Sequence, residues 1–197
     1  PYWTGRSMRE KLLSRMTPEW HDCYEAGMFT EFMEQRGPGH TCGGEQVFTT
    51  GYMEYKEKIK KTMDGLDYMN DPDAVDKCEE LKAMDIACDA VIILGERYHS
   101  LALEMAEKEA DETRKSELLQ IAANLEVVPA HRPQTYWQAI QLYWFTHLAV
   151  TTELNPWDAF SPGRLDQHLY PYYERDVEAG ILDDEKALEL LECLWVK

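Results

Sequence analysis

Apolar positions along this chain recur mostly at helical spacing, and the two-residue alternation of a half-buried strand is scarce. Thr17-Pro18-Glu19 reads as a cap, a proline at the first helical position and an acid in the first turn, which predicts a helix to about Ala26 with Gly27 as its stop. Thr30 can cap a short helix over 31–35, and residues 52–63 read as a helix rich in Lys and Glu. Asp71-Pro72 opens the longest predicted helix. Along it Leu81, Met84, Cys88, Val91, Gly95, Tyr98, Ala102 and Met105 recur at alternating steps of three and four, one apolar stripe. A further amphipathic helix is expected over 112–126, with Leu118, Leu119, Ala122 and Leu125 on its apolar side. Pro133 then starts a helix from Gln134 to about Thr152 whose apolar residues, Trp137, Ile140, Tyr143, Trp144, Leu148 and Val150 among them, lie nearly all round it. Such a helix belongs inside a larger body, with its packing partners expected beyond the chain ends. Residues 164–179 are helical with Gly180 as the stop, and Asp183 caps the last helix. The segment is therefore mainly α, with no internal repeat, low-complexity tract or linker.

Composition narrows the function classes. The 197 residues carry 37 acidic against 20 basic side chains, a net charge of -17. That balance argues against nucleic acid, whose binding rests on neutralising phosphates with Lys and Arg, and against an anionic membrane surface. No apolar run approaches the length of a membrane span. Five cysteines, Cys23, Cys42, Cys78, Cys88 and Cys193, are odd in number, widely spread and without a Cys-x-x-Cys pair. Neither a zinc framework nor a disulfide scaffold is indicated, and a reducing cytoplasm is the expected compartment. The chain opens at Pro1 without an initiator Met and stops within a helical pattern, which gives the expectation of a piece of something longer.

Two irregular stretches hold the candidate chemistry. Residues 36–44 contain four glycines and a proline, with His40 between glycines. Such a His lets the backbone approach a ligand closely, although a surface turn with an incidental His would read the same way. The second stretch, Glu153 to Arg164, places Asp158 between Trp157 and Phe160 just past the apolar helix. A desolvated carboxylate there needs a cation, a His, a backbone amide or a ligand; alternatively it ties its own loop through an Asx-type turn. Cys42 lies two residues from His40, but neighbouring side chains in a Gly-rich turn rarely converge as a thiolate–imidazole pair must. His147 reads as a hydrogen-bonded core histidine, His131 as a turn residue, and His168 with Tyr170, Tyr172 and Tyr173 as packing residues. The acidic runs at 104–112 and 174–178 read as solvated faces.

Three stretches together carry a resemblance. Phe29-Thr30-Glu31-Phe32-Met33-Glu34-Gln35-Arg36-Gly37-Pro38-Gly39-His40-Thr41 resembles the N-terminal signature of the glycyl radical enzymes of the pyruvate formate-lyase-like superfamily. So do Val128-Pro129-Ala130 with Thr135-Tyr136-Trp137-Gln138-Ala139-Ile140-Gln141, and Pro162-Gly163-Arg164-Leu165-Asp166-Gln167-His168-Leu169-Tyr170-Pro171. The matches run in the superfamily's order along nearly the whole chain. They imply that residues 1–197 are the helical N-terminal part of a ten-stranded α/β barrel domain. The thiyl-forming Cys, its neighbouring Glu and the radical Gly would then lie downstream, and Cys42 would not be the thiyl site.

Within the superfamily, diol dehydratases are similar at the Pro-Gly-His-Thr stretch but carry His-Ser where this chain has Trp157-Asp158. The Glu-Leu-Asn-x-Trp-Asp-Ala pattern is similar instead to members that dehydrate trans-4-hydroxy-L-proline, with Pro156 as a local departure. The resemblance implies a lyase that eliminates water to give pyrroline-5-carboxylate, with His40 and Asp158 catalytic and Phe32 and Trp157 lining the substrate pocket. An Asp suits a substrate with a cationic ring nitrogen, and His40 suits protonation of the departing hydroxyl. No cofactor is expected in this segment itself; the glycyl radical lies outside it, installed by a radical SAM activating enzyme. The partners implied are a small-molecule substrate, that activase and a second copy in a homodimer. The competing expectations are another glycyl radical lyase, such as a glycerol or propanediol dehydratase, an arylacetate decarboxylase or a formate acetyltransferase-like enzyme, or a non-catalytic helical module.

Overall fold

A computed structural model of the chain describes residues 8–28, 43–153 and 161–196. These residues form helices and connecting turns, with no extended β-strand among them. In chain order the helices are α1 (Met8–Leu13), α2 (Pro18–Glu25), α3 (Gln46–Thr49), α4 (Tyr52–Asp64), α5 (Ala74–Lys108), α6 (Glu112–Leu125), α7 (Tyr136–Glu153), α8 (Leu165–Glu178) and α9 (Asp184–Val196).

Local chemistry sets most of these boundaries. Thr17 accepts a hydrogen bond from the Trp20 amide at 3.2 Å, and Gly27 takes φ +72° just beyond α2, as its cap and stop predict. Asp111 caps α6 by accepting from the Arg114 amide at 2.8 Å, and Asp183 caps α9 by accepting from the Lys186 amide at 2.8 Å. Gly180 takes φ +68° after α8. The short α3, just past the Gly-rich stretch, was not foreseen from the apolar pattern, because four residues are too few to show a period.

α5 is 35 residues long, roughly 50 Å at 1.5 Å per residue, and forms an antiparallel hairpin with α6. α4 lies along it, tied by Lys56 Nζ at 2.8 Å from both the Asp85 and the Asp89 carboxylates. Gly95 lets Pro129 come against α5, where a Cβ would overlap the proline ring. The stripe on α5 is narrower than its periodicity suggests. Cys88, Val91, Gly95 and Ala102 are buried, whereas Met84, Tyr98 and Met105 are exposed, so the covered strip is narrower than the apolar one. On α6, Leu118, Ala122 and Leu125 are buried and Leu119 is exposed, since it points away from α5.

α7 is the hub. One side joins Val47 and Phe48 of α3, Leu169 of α8, and Ala187 and Leu190 of α9 through Tyr136, Ala139, Ile140 and Tyr143. Its other side sends Phe145 to Val91 of α5 and Leu125 of α6. Part of the all-round apolar character therefore has an explanation inside this segment, since Tyr136, Ala139, Ile140, Tyr143 and Phe145 are buried, while Trp137, Trp144, Leu148 and Val150 are only half-buried. α7 is covered from two sides at once, and no amphipathic stripe develops on a helix with two apolar neighbours. No helix of the described residues is long and apolar enough to cross a membrane.

Candidate functional site

The four residues singled out for chemistry, Phe32, His40, Trp157 and Asp158, lie outside the described residues, as do Cys42 and the short helix expected over 31–35. The described residues show what the two segments that carry them are anchored to. The first re-enters at Gly43 and Gly44, both at positive φ (+66° and +55°), a backbone turn that favours glycine, and runs into α3. The second leaves the end of α7 at Glu153 and re-enters at Ser161, ahead of α8.

The helices that follow the two re-entry points, α3 and α8, meet. Phe48 of α3, 1% exposed, stacks on His168 of α8 with ring centroids 5.2 Å apart and on Tyr143 of α7 at 5.3 Å. Tyr172, one turn after His168 on the same face of α8, donates its hydroxyl to the Phe48 carbonyl at 2.6 Å. Burial pushes the Tyr172 phenol above its ordinary value, against the opposite pull of Arg175 and Arg132, so it remains a proton donor throughout the neutral range. The expectation that His168 and these tyrosines pack holds. Tyr173 donates to Asp184 Oδ1 at 2.6 Å and meets Tyr136 edge-on. His147, half-buried, stacks on Trp144 and shares a 3.3 Å contact between its Nδ1 and the Tyr143 hydroxyl, as a hydrogen-bonded core histidine should. His131 lies in a turn, its amide donating to the Val127 carbonyl at 2.7 Å.

The N-terminus of α7 depends on a residue that the reading of acidic runs missed. Asp176 belongs to the 174–178 run assigned to a solvated face, yet it is 2% exposed. Its Oδ2 accepts from the Tyr136 amide at 2.7 Å, and Arg175 lies 3.1 Å from its Oδ1. Arg175 also donates to the Gln134 carbonyl. Thr135 accepts from the Gln138 amide at 3.2 Å while the Gln138 side chain accepts from the Gln134 amide at 2.8 Å. That arrangement is a variant of the Thr-x-x-Gln capping pattern, which the sequence did contain, with the Gln138 side chain reaching the amide one residue before Thr135. Asp176 had no such signal, because a helix face is known to be buried only once its neighbour is placed.

Two other features carry no catalytic constellation. A cleft of about 250 Å³ opens between α7 and α9, lined by Trp137, Ile140, Trp144, Leu190 and Leu194 with Gln141 as a polar member. Gln141 already accepts from Asn124 at 3.0 Å, so the cleft is a nearly polar-free apolar surface. Among the described residues no group of three His, Cys, Asp or Glu is placed to hold a metal. Two Cys-x-Glu triplets occur, Cys23-Tyr24-Glu25 and Cys78-Glu79-Glu80. Both lie on helices, α2 and α5, where residues two apart point to different faces. Neither triplet therefore presents a thiol and a carboxylate to one reacting centre.

Comparison with known proteins agrees with this layout. The family model described as pyruvate formate lyase-like matches residues 1–197. The chain is 60% identical over 197 residues to a trans-4-hydroxy-L-proline dehydratase from Clostridioides difficile, covering all of this chain and 25% of that protein. It is 35% identical over 205 aligned residues to an isethionate sulfite-lyase from Desulfovibrio desulfuricans, again with 25% of that protein covered. Among solved structures, the Clostridioides difficile hydroxyproline dehydratase with trans-4-hydroxy-L-proline bound superimposes with a TM-score of 0.86 over 100% of this chain and 25% of that one, at 60% identity. The glycerol-bound, B12-independent glycerol dehydratase from Clostridium butyricum gives a TM-score of 0.80 at 32% identity, over 99% of this chain and 24% of that one. The chain thus spans about a quarter of the length of the relatives it matches. With a match along its entire length and the same helical arrangement as solved members, the chain belongs to the pyruvate formate lyase-like family.

Proposed function

We propose that residues 1–197 are the helical N-terminal part of a glycyl radical dehydratase that removes water from trans-4-hydroxy-L-proline to give pyrroline-5-carboxylate. The observation that carries this reading is 60% identity to a protein of that activity, sustained over all 197 residues. The sequence at the second motif supports it, since Trp157-Asp158 stands where the diol dehydratases carry His-Ser. The segment would sit against the ten-stranded α/β barrel of such enzymes, in a cytoplasmic homodimer activated by a radical SAM enzyme. Five dispersed cysteines without a paired motif suit that compartment.

The chemistry divides between this segment and the rest of the protein. The glycyl radical and its thiyl partner, both outside this segment, supply hydrogen-atom abstraction from the carbon beside the ring nitrogen. What this chain supplies is a proton and a place to bind. Hydroxide is a poor leaving group, and His40 carries an imidazole, the side-chain type suited to protonate the C4 hydroxyl as it departs as water. Asp158 would hold the ring ammonium or orient the imidazole, a charge-assisted bond in either case. Phe32 and Trp157 would line the apolar faces of the ring. The substrate loses one water and nothing else, so the product forms without an external oxidant or reductant.

The test uses the full-length, radical-activated enzyme, offered trans-4-hydroxyproline, glycerol, propanediol and an arylacetate in separate reactions. Pyrroline-5-carboxylate should form from the first and no product from the others. Asp158→Asn, which keeps shape and removes charge, should lower kcat/KM by at least about tenfold, the equivalent of losing one charge-assisted hydrogen bond. His40→Gln should suppress water loss while leaving the glycyl radical signal at its parent amplitude. Turnover of glycerol with none of hydroxyproline would overturn the assignment and move the protein to the diol dehydratases.

A further inference from the structure

α7 presents apolar residues on three sides, and the two core clusters account for two of them. The third side carries Trp137, Gln141 and Trp144 at steps of four and three, one helical stripe. Both tryptophans are only half-buried. With Leu190, Cys193 and Leu194 of α9 they wall the cleft of about 250 Å³. An apolar cavity of about 150 Å³ holds a benzene-sized group, so this cleft has room for one or two large side chains. Gln141 is its amide, and both ends of that amide are taken by α6. It accepts from Asn124 at 3.0 Å and donates to the Ile121 carbonyl at 3.4 Å. No charged side chain of the described residues lines the cleft. Small-molecule sites set a few convergent polar groups among apolar walls. Here the amide is already engaged, and what remains is aromatic, aliphatic and thiol surface.

We propose that this cleft is the seat for apolar side chains of the same polypeptide downstream of residue 197. The proposal rests on the reading of residues 1–197 as the N-terminal part of a longer enzyme. The chain spans 25% of the dehydratase it matches in sequence and in structure, so three-quarters of such a protein lies outside the match. α9, which supplies one wall, is the last helix of the segment, so polypeptide continuing from it starts at the edge of the cleft. Trp195 and Val196, 70% and 85% exposed, extend the apolar surface in that direction. A two-fold contact between copies centred on the cleft would instead set one concave surface against another and fill neither.

Cys193 is the probe, because it lies on the cleft wall and is exposed in this segment. The unaltered full-length protein is treated with a maleimide, and labelling of Cys193 is followed by peptide mass spectrometry in native buffer and in denaturant. A filled cleft should slow native labelling by at least about tenfold, as for a group that reacts only on local opening. In parallel, Trp144→p-benzoylphenylalanine is irradiated in the full-length protein, with Leu194→p-benzoylphenylalanine, on the opposite wall, used where the first variant does not fold. The expected product is an intrachain cross-link to a peptide beyond residue 197. Native labelling faster than that limit, a cross-link to a second chain, a cross-link confined to residues 1–197, or no cross-link at all would each overturn the inference. Turnover of trans-4-hydroxyproline by the same preparation is read separately. Dehydration with an open Cys193 leaves the proposed function standing and removes this inference, whereas a filled cleft without that turnover does the reverse.

Discussion

Asp176 offers the sharpest test of how the hub helix is held. Its carboxylate is 2% exposed and accepts from the Tyr136 amide at 2.7 Å, at the first turn of α7. Tyr136 is itself 3% exposed, so Asp176→Ala leaves a buried N–H without its acceptor and without water to replace it. A hydrogen bond to a charged group contributes about 1.5–3 kcal/mol, and this one also places a negative charge at a helix N-terminus. The ion pair with Arg175 adds little, because that side chain is 52% exposed and rehydrates when its partner is lost. The loss on truncation is thus about 1.5–3 kcal/mol, concentrated at the start of α7. Asp176→Asn keeps an oxygen for the amide and loses the charge, and should cost about half as much. Because the effect is local to one helix end, the suitable assay is amide hydrogen exchange in the native protein, followed in a peptide spanning 134–142. At 1.36 kcal/mol per decade, Asp176→Ala should speed exchange there by roughly 10- to 150-fold, with Asp176→Asn in between. Exchange within twofold of the parent in Asp176→Ala would refute the reasoning, since no other described acceptor serves that amide.

Three shorter predictions follow from the same structure. Gly95→Ala puts a methyl group into the Pro129 ring and should destabilise the join between α5 and the 126–131 turn by about 1–3 kcal/mol, seen as faster exchange in peptides from both. Burial first, and Tyr173 second, push the Tyr136 phenol up to about 12. A group whose folded value lies above its unfolded value of about 10 contributes stability below pH 10 and loses it as the pH climbs toward 12, so Tyr136→Phe should raise the alkaline unfolding midpoint followed by near-UV circular dichroism. The hydrogen bonds it donates to the Asp85 and Asp89 carboxylates hold the Lys56 ammonium above its ordinary value; Lys56→Gln should loosen α4 against α5 in hydrogen exchange, and the difference from the parent should shrink in high salt.

The apolar cleft between α7 and α9 continues to the end of the last helix. Trp195 and Val196, at the end of α9, are 70% and 85% exposed, and the cleft beside them is walled almost wholly by carbon. Contiguous apolar surface of this kind ordinarily meets further protein.

The helix boundaries of this protein are written in short-range sequence, because the groups that end a helix lie within four residues of it. Thr17, Gly27, Gly180 and Asp183 could each be read as a cap or stop without knowing the fold, and each acts as one. The motif resemblance was equally legible, since it resides in the order of residues. Tertiary structure decided what lies opposite each face. Periodicity marked one stripe on α5, but only the packing of α4, α6 and α7 against it determines that Cys88 and Val91 are covered while Met84 and Met105 are not. It showed α7 as apolar all round, but not which of its faces the neighbouring helices cover. Asp176 looked like its acidic neighbours, and Phe48 sat in a helix too short to have a period. Burial and partnership are properties of pairs of elements distant in sequence, 40 residues for Asp176 with Tyr136 and 124 for Tyr172 with Phe48, and no local pattern encodes them.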